Sequence, residues 1–89
     1  MWSAGSQATR ALTQAAAQEL RDQGVHVALL VVDATIASPK TEERLRGTPQ
    51  DESAAQADVA RAVAALAAQT PRGYTHELVI TPAGDRWVP

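Results

Sequence analysis

The sequence predicts an α/β fold with parallel strands, and three observations carry that expectation. First, Val25 to Val32 (VHVALLVV) is rich in β-branched residues and almost wholly apolar, without the alternation of a half-solvated strand. That is the pattern of a central parallel strand covered on both faces. Second, His76 to Thr81 (HELVIT) reads as another short strand, preceded by the turn residues Thr70-Pro71-Arg72-Gly73 and closed by Pro82. Third, the connection between the two holds an amphipathic helical segment and is long enough for the crossover that parallel strands require. The order is helix, strand, loop, helix, strand, a single partial domain over residues 1–89.

Each element has its own local argument. From Ser3 to Asp22 the residues are strong helix formers, and Ala8, Leu12, Ala15, Ala16, Glu19 and Leu20 recur at helical spacing as one mostly small, apolar side. Gln7, Arg10, Gln14, Gln18 and Arg21 give much of the rest to solvent, and Gln23-Gly24 stops the helix, Gly24 being suited to a left-handed cap. An Ala-lined side lets another helix approach closely, either in ordinary packing or as a dimer seam. His26, near the start of the first strand, reads as a polar tip at the sheet edge, without a second His or an acid at metal-ligand spacing. Between Asp33 and Asp51 the chain turns polar, broken by Pro39, Gly47 and Pro49, with one or two helical turns at Thr41 to Arg46 whose charges form a solvated face. A second helix follows from about Ser53 to Gln69, with Val59, Ala62, Val63 and Leu66 on one side and Asp58 and Arg61 on the other.

Bulk properties narrow the function classes. At 89 residues the chain buries only about 60 to 65 per cent of its unfolded surface even when compact, a thin margin of stability. It has no cysteine, hence neither disulfides nor thiolate chemistry, and a reducing, cytoplasmic setting is the default expectation. A net charge of −2 with interspersed signs offers no basic patch for nucleic acid and no polybasic arm for a membrane surface. Val27 to Val32 is too short to span a bilayer, and the first residues lack the pattern of a signal peptide. His26 and His76 read as isolated, no serine sits in a nucleophile elbow, and no metal site is expected. Two strands and two substantial helices would leave apolar surface and strand edges uncovered, so a partner is expected: a second copy, a separate chain, or further sequence of the same domain.

The run from Trp2 to Asp33, WSAGSQATRALTQAAAQELRDQGVHVALLVVD, resembles the active-site helix and following strand of a short-chain dehydrogenase/reductase. Ala34 to Ser38 is similar to that family's cofactor loop, Asp58 to Gln69 (DVARAVAALAAQ) to its late helix, and Arg72 to Ala83 (RGYTHELVITPA) to the closing strand of one of its branches. The segments are collinear with the carboxy-terminal third of the family. The resemblance implies part of a Rossmann-like, doubly wound parallel sheet, incomplete alone, and an ancestral NAD(P)-dependent oxidoreduction of a small carbonyl or alcohol.

The same resemblance locates the catalytic positions and finds them altered. The family's Tyr-x-x-x-Lys places its tyrosine at Trp2 and its lysine at Ser6. An indole N–H donates a hydrogen bond but does not titrate near neutrality, and Ser6 is uncharged and too short to replace lysine. Trp2 reads as an aromatic plug in the tyrosine space. In the cofactor loop, Ile36 and Ser38 fall on positions that meet the nicotinamide half, whereas Asp33 and Ala34 replace the usual proline and glycine. The five glycines, Gly5, Gly24, Gly47, Gly73 and Gly84, form no cluster after a strand for the diphosphate. Tight NAD(P) binding and turnover by this chain alone are therefore not expected. The alternative is a non-catalytic interaction protein that pairs with itself or with a related full-length subunit through its Ala-rich helix and sheet edge.

Overall fold

The computed structural model describes residues 3–84 and follows the expected order with two additions. Helix α1 is Ala4–Leu20, strand β1 Leu29–Val32, strand β2 Ile36–Ala37, helix α2 Glu42–Leu45, strand β3 Ala54–Ala55, helix α3 Gln56–Ala67 and strand β4 Glu77–Ile80. Single 3-10 turns lie at Arg21–Gln23 and Gln50–Glu52. β1 and β4 pair in parallel, Leu29 opposite Glu77 through Val32 opposite Ile80, and the Asp33 N–H extends the ladder to the Ile80 carbonyl at 2.9 Å. The additions are β2 and β3, which pair in parallel as Ile36 with Ala54 and Ala37 with Ala55. The fold is thus mixed helix and strand with parallel pairing. Among the described residues the strands form two separate two-stranded ladders and not one continuous sheet.

Local chemistry sets the helix ends. Ser3, in extended backbone, caps α1 by accepting the Ser6 N–H at 3.1 Å, which satisfies one of the donors left orphaned in a first turn. At the other end the α-helix tightens into the Arg21–Gln23 turn, and Gly24 at φ 74° carries the left-handed cap, its N–H donating to the Arg21 carbonyl at 3.1 Å. A residue with a Cβ would be strained there. Gly47, at φ 80°, takes the same left-handed backbone in the turn after α2, where the Thr48 N–H donates to the Leu45 carbonyl at 2.9 Å.

The expected inner side of α1 is corrected. Ala8, Leu12, Ala15 and Glu19 are exposed, Leu12 at 72%, and the side turned inward is Arg10, Thr13, Ala16, Ala17 and Leu20. Arg10, expected to face solvent, instead reaches the start of β4, its partly exposed Nε donating to Glu77 Oε1 at 2.6 Å. In α3 the inner side is Val59, Ala62 and Leu66 as expected, with Asp58 paired to Arg61 on the outside, but Val63 is 52% exposed.

The first strand is also shorter than its sequence pattern. The ladder begins at Leu29 because β4 begins at Glu77, so Val25 to Ala28 face the Thr70–His76 turn, where side chains take the place of ladder bonds. Nor is the strand covered on both faces: all four of its residues are half-buried.

The core is small. Ala17 and Ala54 are the buried apolar residues among those described, and no polar side chain is buried. The chain exposes 6651 Å², against about 5,000 Å² for a compact monomer of this mass. Its radius of gyration is 15.1 Å, against about 12 Å for a compact domain of this length.

Candidate functional site

The β1–β4 pair has two ends with different chemistry. At the carboxyl ends of the strands, where open parallel sheets place their ligands, the chain leaves β1 at Asp33 and runs through the segment that contains Ile36 and Ser38. Ile36 lies in β2, held by β3, and the Ala54 N–H donates to the Thr35 carbonyl at 3.0 Å. Thr41 organises the rest. Its hydroxyl oxygen accepts the Ser38 N–H at 2.9 Å and donates its single proton to the Ile36 carbonyl at 2.7 Å. The Ser38 hydroxyl lies 3.3 Å from Thr41 Oγ1.

Beside this segment is an open groove of about 520 Å³, lined among others by Ser38, Pro39, Leu45, Arg46, Gln50 and Ser53. The cation on that lining, Arg46, already pairs with Glu43 at 3.0 Å. Thr81, just beyond β4, has a buried hydroxyl without a hydrogen-bond partner. An orphaned buried hydroxyl costs free energy, so Thr81 is a point of weakness at this end of the pair.

Ile36 and Ser38, the positions the resemblance gives to the nicotinamide half, lie together in this segment. For the diphosphate there is no cradle: the glycines with left-handed backbone are Gly24, after a helix, and Gly47, after α2, and neither opens a strand-to-helix turn. Ser6, at the lysine position, is an exposed residue of the first turn of α1, its amide and hydroxyl both engaged with Ser3. Trp2, at the tyrosine position, lies outside the described residues.

The amino ends of β1 and β4 are closed by side chains that sequence reasoning did not connect. His26 and His76 are not isolated: their rings meet edge to face at 5.9 Å, and His26 stacks flat on Tyr74 at a centroid distance of 3.9 Å. The His26 Nε2–H donates to the Thr75 carbonyl at 2.8 Å, and the His76 Nδ1–H to the Val27 carbonyl at 3.3 Å, because a carbonyl can only accept. Gln69 clamps the turn, its Oε1 accepting the Thr75 N–H at 2.7 Å and its Nε2 donating to Thr75 Oγ1 at 2.8 Å. No group of three or more potential metal ligands occurs among the described residues, and no described helix is long and apolar enough to cross a membrane. Gln69 and Tyr74 lie within the segments Asp58 to Gln69 and Arg72 to Ala83, which gave neither a role; the signal that pairs them with Thr75 and His26 is spatial. Thr41 was legible only as the start of a helical turn.

Compared with family models, with curated proteins and with solved structures, the chain matches none.

Proposed function

We propose that this chain is a short-chain dehydrogenase/reductase-like segment, related to enzymes of NAD(P)-dependent oxidoreduction of small carbonyls and alcohols, and that by itself it is catalytically silent. The observation that carries this is the parallel pairing of Leu29–Val32 with Glu77–Ile80 across a helical connection. It puts the Asp33–Ser38 segment at the carboxyl ends of the strands, where a nucleotide-binding sheet receives its ligand. Silence follows from the altered chemistry of Trp2 and Ser6 and from the missing diphosphate cradle. The test is a binding and turnover measurement on the full chain. NADH and NADPH should shift the Ser38 and Ile36 amide resonances only weakly, and NAD(P)H oxidation over a panel of small ketones should not exceed the blank. Micromolar cofactor affinity or measurable turnover would overturn silence, and a complete lack of shifts at Ile36 and Ser38 would remove the cofactor-loop assignment.

A second reading is favoured by the exposed apolar surface. With Leu12 at 72% and Val63 at 52% exposure on the outer sides of the two long helices, the chain suits a non-catalytic role as a subunit that pairs with a second copy or a related full-length chain. The excess of about 1,600 Å² over a compact monomer is about twice the roughly 800 Å² that a standard-size interface removes from each partner, and falls in the range of obligate dimers. Sedimentation should then show a monodisperse oligomer that melts cooperatively; an ANS-binding monomer without cooperative melting would rule this role out.

A further inference from the structure

At the amino ends of the strands, α1 and the β1–β4 pair enclose a second groove, of about 220 Å³. Its floor is apolar, formed by Ala17 from the helix, Val27 from the segment that leads into β1, and Leu29 from β1. Its rim is polar: Gln14 and Gln18, four residues apart on one side of α1, are followed by Arg21, the first residue of the 3-10 turn that continues the helix. Across the groove lie His76 and Glu77.

The charges on this lining are unbalanced. Glu77 is the one acid among the lining residues, and it is taken by Arg10 at 2.6 Å. No ion pair among the described residues engages Arg21. With Nδ1–H of His76 turned to the Val27 carbonyl, its Nε2 edge remains for solvent or ligand. The groove therefore joins a guanidinium fork and two side-chain amides to an apolar floor. It is smaller than the roughly 300 to 1,000 Å³ of sites that hold drug-sized ligands, so its occupant is small.

We infer that this groove binds a small organic carboxylate with a short aliphatic body. The carboxylate sits on the Arg21 guanidinium, whose planar fork matches two carboxylate oxygens. Gln14 and Gln18 donate their amide N–H groups to the remaining lone pairs, and the aliphatic body lies on Ala17, Val27 and Leu29. The site is at the opposite end of the strands from the Ile36–Ser38 segment and does not depend on the dehydrogenase reading.

Hexanoate, hexanol and inorganic phosphate added separately to the isotope-labelled full chain test this by NMR. Hexanoate should give saturable shifts at the Gln14 and Gln18 side-chain amides and at Arg21 Nε in the millimolar range, with hexanol and phosphate each at least about tenfold weaker. Arg21→Gln should weaken hexanoate about tenfold, since it removes charge-assisted bonds. Gln18→Glu, which adds a carboxylate to the rim, should abolish binding. Arg72→Gln, outside the groove, should leave it unchanged. No saturable shift, equal binding of hexanol or phosphate, or an equal loss in Arg72→Gln would overturn the site.

Discussion

The two ends of the β1–β4 pair differ in how far their side-chain bonds reach. At the amino ends, Arg10 bonds Glu77 from 67 positions away, and His26 bonds Thr75 across 49. At the carboxyl ends, Thr41 bonds Ile36 and Ser38, its near neighbours, and the Thr81 hydroxyl bonds nothing. Long-range bonds tie down the fold because they exist only when the crossover is complete, whereas short-range bonds shape a segment whether or not the rest is folded. The amino ends thus carry the side-chain bonds that join the two halves of the chain, whereas those at the carboxyl ends stay within one segment.

Substitutions can break or sharpen this contrast. Tyr74→Ala should have the largest effect, lowering stability by about 2 kcal/mol as the half-buried ring and its stack on His26 are lost, read as a fall in the urea midpoint. Gln69→Ala should cost about 1.5 kcal/mol, because two half-buried hydrogen bonds to Thr75 disappear together. If both changes left the midpoint in place, the amino ends would not be the anchor.

Thr81→Val tests the other end and should act in the opposite direction. Replacing the orphaned hydroxyl with a methyl of similar shape should be neutral or stabilising by up to about 1 kcal/mol in thermal melts. Destabilisation would reveal a bond to that hydroxyl in solution, and the contrast between the ends would narrow. The smallest effect is expected for Arg10→Met, about 0.5 kcal/mol in the same melts, since the pair with Glu77 is partly solvated, its side chains being 41% and 33% exposed.

Much of the element order was legible in the residues. The β-branched run ending at Val32, the Gly24 stop and the Thr70–Gly73 turn each act through backbone preference, so they foretell β1, the end of α1 and the entry to β4. The rotation of α1 was not legible. Hydrophobic spacing favoured the side with Leu12, but small alanines bury little area each and fix no rotation by themselves: Ala16 and Leu20 of that side turn inward, whereas Ala8, Leu12 and Ala15 do not. The β2–β3 ladder was invisible for a related reason: Ile36-Ala37 and Ala54-Ala55 are too short to carry a period. At the candidate site, Ile36 and Ser38 could be named from resemblance. Thr41 could not, because its hydroxyl turns back along the chain towards Ile36 and Ser38, where a helix cap would turn forward to its own amides.

The stack of His26 on Tyr74 gives the chain a signal of its own. Tyr74 is the single tyrosine in the sequence, and its partner lies on the far side of the crossover. Closing so long a loop is the slow part of building a parallel pair. The ring-current shift that the phenol imposes on the imidazole therefore appears only when the two strands have paired, a native magnetic marker of that step.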